Sequence, residues 1–244
     1  MAWFHGVVER RHDLQNPTSP EKIRLLGERL GLGPQSHVLD VASGRGGPAI
    51  LLAQAFGCRI TCVERAAEFD AAAHERVSAA GLDRLIDLVH ADAREFPIEP
   101  GRYDAALCLG ASFVWDGLGG TLAALTPAAR RGGKVVVGEP YWRRWPLPAD
   151  LELAPDETGF VTLAETVGRF EAAGLEPLAL IDSSLDDWDR YESLQWLAAD
   201  DWRREHPEDP GARELRARAA SNRERYLGWQ RELLGWAIVA ARTP

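Results

Sequence analysis

The sequence has few cysteines, three among 244 residues. Cys58 and Cys62 fall in one short apolar segment that has the pattern of a strand, too far apart along it to be bridged. Cys108 lies in another apolar segment. This odd number of buried-type cysteines indicates free thiols in a reducing compartment, and it excludes a disulfide framework or a cysteine cage for a metal.

Long hydrophobic runs are also missing. No apolar stretch reaches the roughly 18 residues that a membrane-spanning helix needs. The first ten residues lack the basic start and apolar core of a secretory signal peptide. We therefore expect a cytoplasmic protein with no membrane partner.

Positive charge is scarce as well. The chain has 28 lysines and arginines against 37 acidic residues, a formal net charge of −9. Such a chain repels polyanions, and its basic clusters (Arg10-Arg11, Arg130-Arg131 and Arg143-Arg144) are short enough to be solvated faces or helix ends. The composition is otherwise that of a globular protein, with 45% hydrophobic residues. Nucleic acid is thus excluded as a partner, and a small molecule is expected.

Strand-like and helix-like segments alternate along most of the chain. The predicted strands are 37–41, 59–63, 86–90, 103–109, 134–138, 178–181 and 235–242. The predicted helices between them are 19–30, 48–56, 66–80, 118–131 and 163–173, the fourth despite Pro127. This alternation predicts an α/β fold around a mostly parallel sheet.

The last third of the chain breaks the alternation. About fifty residues separate the last two strands, and this stretch is polar, helical in pattern and rich in tryptophan. A structureless loop of that length is uncommon, so residues 183–230 are predicted to form a helical insertion, or lid, at one end of the sheet. We expect one domain over residues 1–244, with an N-terminal cap region at 1–34.

A glycine-rich turn follows the first strand. In Val38-Leu-Asp-Val-Ala-Ser-Gly-Arg-Gly-Gly47, a buried strand leads through small residues directly into a helix. Glycines allow a ligand to approach the backbone, and the helix start offers free amides. Glu64, at the end of the second strand, is placed to accept ribose hydroxyls. Gly44, Gly46 and Ala49 also satisfy G-x-G-x-x-A, so a dinucleotide remains an alternative ligand.

Read from Leu39 to Gly46, the same turn resembles the first motif of class I S-adenosylmethionine-dependent methyltransferases. Further motifs of that family follow in order along the chain, and their resemblance covers about residue 35 to the end. It implies a Rossmann-like, seven-stranded, mostly parallel sheet with an antiparallel last strand. It also implies S-adenosyl-L-methionine as cofactor, with binding residues Asp40, Ala42, Ser43, Gly44, Gly46, Glu64, Arg65, Asp92, Ala93, Leu109 and Gly110. In this family Glu64 would hold the ribose and Asp92 the adenine amino group.

One position departs from the family pattern. Ala42 stands where the family usually has glycine, the smallest possible change, and we expect binding to survive it. A finer resemblance, carried by Gly138-Glu-Pro-Tyr-Trp-Arg143, Trp188-Asp-Arg-Tyr-Glu192 and the N-terminal His12-x-x-x-Asn16-Pro17, is to a subgroup of largely uncharacterised bacterial methyltransferase-like proteins. That subgroup implies the fold and the cofactor but no acceptor.

Residues that follow the fourth and fifth strands are expected to line the acceptor pocket, because ligands bind outside the carboxyl ends of strands. Glu139 and Tyr141 are the candidate catalytic residues; Glu139 could act as a base or could pair with Arg143 or Arg144. The expected substrate pocket comprises Ser112, Trp115, Trp142, Trp188 and Tyr191. The four aromatic residues of this set could instead pack in the core.

An N-terminal segment with His5 and His12 could fold over the cleft. No catalytic triad and no metal-ligand spacing is visible. The expected function is metal-independent, in-line methyl transfer from S-adenosylmethionine to a small acceptor. The alternatives are a cofactor-binding protein without catalysis and an NAD-dependent oxidoreductase.

Overall fold

A computed structural model describes residues 2–155 and 157–244 of the chain. Seven strands form one sheet in the order β3-β2-β1-β4-β5-β7-β6. The strands are β1 His37–Val41, β2 Arg59–Glu64, β3 Ile86–His90, β4 Tyr103–Leu109, β5 Ala129–Trp142, β6 Glu176–Asp182 and β7 Leu234–Arg242. The first five are parallel, and β7 runs antiparallel to both β5 and β6. The predicted seven-stranded, Rossmann-like α/β sheet is confirmed.

Within the residues that the structure describes, eight α-helices of seven or more residues connect and cover the strands. They are α1 Ala2–Val8, α2 Pro20–Leu30, α3 Gly47–Phe56, α4 Ala67–Ala79, α5 Leu118–Leu125, α6 Leu163–Ala172, α7 Leu185–Glu205 and α8 Gly211–Arg225. A π-helical turn at Tyr226–Gln230 and a short α-turn at Arg231–Leu233 lead into β7. Among the described residues, no helix is both long and apolar enough to cross a bilayer.

The ends of α2 show how local sequence sets an element. The Ser19 hydroxyl accepts a hydrogen bond from the backbone N–H of Lys22, and Pro20 occupies the first turn, where its missing N–H costs nothing. Gly31 ends the helix in the left-handed conformation with φ +67°. The helix predicted from these residues is therefore found at the same place.

The predicted boundary between α5 and β5 is wrong. The pattern indicated a helix to Arg131 and a strand confined to 134–138, whereas α5 ends at Leu125 and β5 runs from Ala129 to Trp142. Pro127 lacks the N–H that would continue the helix. At its other end, β5 continues because it remains paired with antiparallel β7 as far as Trp142 and Leu234. This extension changes where the residues after position 138 point.

Helices cover both faces of the sheet. On one face Ile23, Leu26 and Leu52 from α2 and α3 pack on the inner strands, and on the other face Leu122 and Phe170 from α5 and α6 do so. A third apolar cluster joins α1, α7 and α8. The predicted helical insertion thus consists of α7 and α8, and α7 connects it to the N-terminus. All three cysteines are buried free thiols, as expected.

Candidate functional site

A cavity of about 540 Å³ opens at the carboxyl ends of the parallel strands. Ten of the eleven residues expected to bind the cofactor line it together with Arg94, and the eleventh, Gly46, belongs to the same glycine-rich turn. The ten lining residues, at the ends of β1, β2 and β4 and just after β1, β2, β3 and β4, are Asp40, Ala42, Ser43, Gly44, Glu64, Arg65, Asp92, Ala93, Leu109 and Gly110. The volume is within the range of small-molecule sites. The sheet therefore gathers residues from across the sequence into one pocket.

Glu64 fixes the geometry between the first two strands. Its Oε2 accepts a 2.9 Å hydrogen bond from the backbone N–H of Gly44, and its Oε1 accepts a 2.7 Å bond from the N–H of Ala66. The carboxylate thus ties the glycine-rich turn to the end of β2. An ionised carboxylate has about four acceptor positions, so it can still accept hydroxyl donors from the cavity.

Asp40 is the most deeply buried carboxyl of the cavity. Its side chain is only 2% exposed, and its Oδ2 has no hydrogen-bond partner among the described residues. Burial, with a further contribution from the negative charge of Glu64, raises the pKa of Asp40 to about 7. The Ser43 hydroxyl is also buried and has no hydrogen-bond partner among the residues that the structure describes. Unsatisfied buried polar atoms beside a cavity are what a polar ligand would satisfy.

Asp92 lies at the more open end of the cavity. Its Oδ1 accepts a 3.0 Å hydrogen bond from the N–H of Arg94, and Arg65 approaches its Oδ2 at 3.4 Å. The hydrogen bond from Arg94 is the main reason that the pKa of Asp92 is lowered. This carboxylate remains ionised and free to accept a donor from a ligand.

The glycine-rich turn departs from ordinary backbone geometry. Ala42 has φ +52°, in the left-handed region where residues with a β-carbon are strained. Gly44 and Gly46 follow with φ +57° and +72°. Gly46 faces Ala73 of α4 and is not part of the cavity wall; Gly47 is. The role of Gly46 is therefore to turn the backbone into α3.

Residues 9–17, which we call the N-terminal strap, close one side of the cavity. The Oε1 of Gln15 accepts a 2.7 Å hydrogen bond from the backbone N–H of Arg45. A β-carbon on Gly44 would lie 2.1 Å from that oxygen. Gly44 is therefore needed for its left-handed φ and also for the close approach of the strap.

Asn16 makes a corresponding contact at the end of β4. Its Nδ2 donates a 3.0 Å hydrogen bond to the carbonyl oxygen of Leu109. Its Oδ1 lies 2.1 Å from where a β-carbon of Gly110 would stand. Glu9 and Gln15 also line the cavity and were not predicted there, and Asn16 and Pro17 entered the prediction only as part of a family signature. The only signal for them was their position in the segment expected to fold over the cleft.

The structure brings two of the five expected pocket residues, Trp188 and Tyr191, into the cavity wall, where Pro140 and Trp236 adjoin them. The Tyr191 hydroxyl donates a 3.2 Å hydrogen bond to Glu9 Oε1. Trp188 packs at right angles to the Tyr191 ring. This part of the cavity wall is therefore aromatic, and the carboxylate of Glu9 lies next to the Tyr191 hydroxyl.

The two candidate catalytic residues lie elsewhere. Because β5 continues past Gly138, the side chain of Glu139 points to the sheet face covered by α5 and α6, and Pro140 faces the cavity. Burial raises the pKa of Glu139 to about 7, and its Oε1 has no partner among the described residues. The Tyr141 ring lies over Gly235, and its hydroxyl donates to Asp182. Neither side chain lines the cavity, so placing them at the cleft was wrong.

The expected alternative for Glu139, an ion pair with Arg143 or Arg144, is also wrong. Arg143 lies 3.4 Å from Asp182, and Arg144 lies 3.1 Å from Glu232. Both arginines thus hold β5 to neighbouring segments of the chain. Glu139 is left as a buried carboxyl facing the helices.

Three of the expected pocket residues do not line the cavity. Trp142 is 2% exposed and packs against Phe160 and Trp229. Ser112 and Trp115 lie in a 3₁₀ helix after β4, whose Phe113 and Val114 face the cavity in their place. The one-turn 3₁₀ geometry decides which of these successive residues reach the ligand side.

The two N-terminal histidines have different positions. His5 lines the cavity. His12 is buried behind Tyr191, with its Nε2 2.8 Å from the Tyr191 carbonyl oxygen, and burial lowers its pKa. The N-terminal segment therefore does fold over the cleft, and His12 connects it to α7.

Comparisons with known proteins agree with this geometry. A methyltransferase domain family matches residues 38–133. The Escherichia coli (strain K12) protein YjhP is 31% identical, over 96% of this chain and 95% of that protein. The 27-O-demethylrifamycin SV methyltransferase of Amycolatopsis mediterranei (strain S699) is 27% identical, over 99% of this chain and 91% of that protein.

A solved structure shows the same architecture with a ligand. The S-adenosylmethionine-dependent methyltransferase of Geobacter sulfurreducens, crystallised with S-adenosyl-L-homocysteine, superposes with a TM-score of 0.93. It is 32% identical, and the match covers 99% of this chain and 98% of that one. The glycine-rich turn is therefore the methyltransferase motif and not a dinucleotide fingerprint. The chain belongs to the S-adenosylmethionine-dependent methyltransferases.

Proposed function

We propose that this methyltransferase transfers the methyl group of S-adenosylmethionine to a small-molecule acceptor by in-line displacement, without a metal ion. The main observation behind the proposal is the cavity in which Asp40, Glu64 and Asp92 converge from the ends of three strands beside an aromatic wall. We extend the proposal to a single-domain, cytoplasmic protein without a membrane partner. Its net charge of −9 repels polyanions, so the proposal also includes no nucleic-acid partner.

The residues of the cavity fit the cofactor. The unpartnered Asp40 Oδ2 and Ser43 hydroxyl would form hydrogen bonds with the methionine end of S-adenosylmethionine. Glu64, held by two backbone amides, would accept the ribose hydroxyls, and Asp92 would accept the adenine amino group. Leu109 and Gly110 would lie beside the sulfonium end, together with Arg65 and Ala93 around the adenosine.

The cofactor supplies a methyl group already activated by a sulfonium leaving group. The protein has therefore to orient the acceptor and exclude water. The N-terminal strap does this on one side, since Gln15 and Asn16 lie directly on the glycines at positions 44 and 110. Trp188 and Tyr191 of α7 close the other side.

The acceptor side of the cavity suits a small, partly apolar molecule. Its wall consists of Trp188, Trp236 and Pro140, with the Tyr191 hydroxyl and Asn16 as polar groups. Aromatic rings at this position also favour the positive charge of a sulfonium through cation–π attraction. A relative that covers the whole chain, the 27-O-demethylrifamycin SV methyltransferase, is named for a small-molecule acceptor. Glu139 and Tyr141 have no part in this proposal because they lie outside the cavity.

The proposal is tested with cofactor that carries a labelled methyl group. The protein is incubated with the small-molecule fraction and, separately, with the macromolecular fraction of a cell extract. We expect enzyme-dependent label in a small product, reduced in the Glu64→Ala variant and unchanged in the Glu75→Ala variant, whose side chain is exposed on α4. Label confined to protein or nucleic acid would contradict the small-molecule acceptor.

A further inference from the structure

A second cavity of about 400 Å³ lies on the other side of the N-terminal strap. It is enclosed by the strap, the start of α3, α4 and α7. Asp13, Asn16, Gly47 and Tyr191 contribute to the walls of both cavities. The carbonyl oxygen of Asp13 lies 1.9 Å from where a β-carbon of Gly47 would stand, so the strap backbone rests on the start of α3. The strap is therefore a partition between two separate spaces.

The second cavity is positively charged in an acidic protein. Arg11, Arg76 and Arg190 line it from three different elements, and Asp13 is the one acidic side chain among its described lining residues. The first cavity has the opposite character, with Glu9, Glu68 and the three cofactor carboxylates facing Arg65 and Arg94. A negatively charged molecule is therefore attracted to the second cavity and repelled from the first.

The three arginines are held in place but keep free hydrogen-bond donors. Arg76 binds the exposed Asp13 carboxylate at 2.9 Å and the Asp13 carbonyl oxygen, and its pKa is lowered by burial. Arg190 donates to the Thr18 carbonyl oxygen and lies 3.8 Å from Asp187, which is nearer to Lys22. Arg11 pairs with Asp201, a carboxylate that it shares with Arg204. Each guanidinium has five N–H donors, so these contacts orient the groups without using all donors.

Most of the rest of the wall is apolar, and His12, Asn16 and Tyr191 are its further polar residues. Ile50 and Leu51 of α3, Leu194 of α7 and Leu14 of the strap form most of it, with Pro20 at one side. A purely inorganic anion would leave this surface uncovered. An organic anion would place its charged group on the arginines and its hydrocarbon part on these side chains.

We propose that the second cavity is a binding site for a small organic carboxylate with an apolar body, separate from the methyl-transfer cleft. The proposal does not depend on the identity of the acceptor, because none of the three arginines lines the first cavity. It assigns a binding role to the residues around the outer side of the strap.

The test is a calorimetric titration of the full chain with octanoate, compared with octanol as the uncharged probe. We expect saturable binding of octanoate, and none of octanol at equal concentration. Arg76→Gln and Arg190→Gln should each weaken octanoate binding at least about ten-fold, as removal of a charge-assisted contact implies. Arg84→Gln, which removes an exposed arginine outside both cavities, should bind octanoate like the unaltered protein.

S-adenosylhomocysteine binding is measured in the same variants to show that they are folded. Octanoate should leave this affinity undiminished, because it occupies the other side of the strap. The proposal is overturned if octanoate gives no saturable heat, if octanol binds equally well, or if both arginine variants bind octanoate normally. Competition between octanoate and S-adenosylhomocysteine would place the probe in the first cavity and would likewise overturn it. If Arg76→Gln does not fold, Arg190→Gln decides the result.

Discussion

Asn16 lies directly over Gly110, with its Oδ1 2.1 Å from where a β-carbon would stand and its Nδ2 bonded at 3.0 Å to the carbonyl oxygen of Leu109. The end of β4 and the N-terminal strap are thus joined by a side-chain-to-backbone contact over the cofactor cavity. A side chain at position 110 would push the strap away. Asn16 and Gly110, which lie 94 positions apart in the sequence, therefore close the cleft together.

Asn16→Ala should weaken the binding of S-adenosylhomocysteine by about 5- to 30-fold, or about 1–2 kcal/mol. The variant loses the bond to the Leu109 carbonyl oxygen and one wall of the cavity. Isothermal titration calorimetry measures the change. Asn222→Ala on α8 removes the same type of side chain far from the cavity and serves as control. Equal affinity in both variants would show that the strap contact does not contribute to cofactor binding.

Glu64→Ala should reduce cofactor affinity by about 1–3 kcal/mol, the range for removing a buried polar partner. The substitution leaves the amides of Gly44 and Ala66 without their acceptor and removes the proposed ribose contact. The affinity is read from the stabilisation against heat that S-adenosylhomocysteine gives at increasing concentration. Glu75→Ala is the matched control. Unchanged affinity in Glu64→Ala would show that this carboxylate does not hold the cofactor.

Ala42→Gly should stabilise the protein by about 0.5–1 kcal/mol. Ala42 has φ +52°, which costs a residue with a β-carbon about 1–2 kcal/mol, and the greater freedom of glycine in the unfolded chain offsets part of the gain. Denaturant unfolding without cofactor measures the difference. Ala55→Gly on the exposed side of α3 should have the opposite sign, because there the alanine is helical. Destabilisation by both substitutions would show that Ala42 is not strained.

Glu139→Gln should stabilise the protein at pH 8, by up to about 3 kcal/mol, and change little near pH 4. Burial raises the pKa of Glu139 to about 7 from its ordinary value of 4.5, so the folded chain binds a proton there that the unfolded chain has lost. The unaltered protein therefore loses stability as the pH rises from about 4.5 through 7. The amide carries no charge at any pH and removes this loss.

Urea unfolding between pH 5 and 8 tests this prediction for Glu139. Glu171→Gln at an exposed position of α6 is the matched control for the substitution itself. A stability difference for Glu139→Gln that does not change with pH would contradict the raised pKa of Glu139.

Methyl transfer should persist after exhaustive treatment with a chelator. The proposed chemistry needs orientation and exclusion of water, and no step assigned to a side chain uses a metal. Product formation from labelled cofactor is compared before and after the treatment, with a known magnesium-dependent methyltransferase treated in parallel. Loss of activity that magnesium restores would contradict the metal-independent mechanism.

Much of the fold follows from local pattern. The strand before the glycine-rich turn, the helix capped by Ser19 and the hairpin of the last two strands were all predicted within a few residues. The pattern failed at β5, where antiparallel pairing with β7 extends the strand to Trp142. That pairing partner lies about a hundred residues further along the chain, so no local sequence signal reports it. For this reason Glu139 and Tyr141 were predicted at the cleft and are found elsewhere.

The sequence by itself determined the alternating strands and helices of the sheet, the cofactor turn and the acidic residues at the ends of three strands. Each of these depends on a short segment whose hydrophobic period, glycines or charge act locally. The tertiary structure alone decided that Gln15 and Asn16 lie over Gly44 and Gly110, and that the strap divides an acidic cavity from a basic one. These relationships join side chains from distant segments, and their geometry is set by how the strap packs between α3, α4 and α7. Such packing depends on the shapes of the contacting surfaces and not on spacing along the chain.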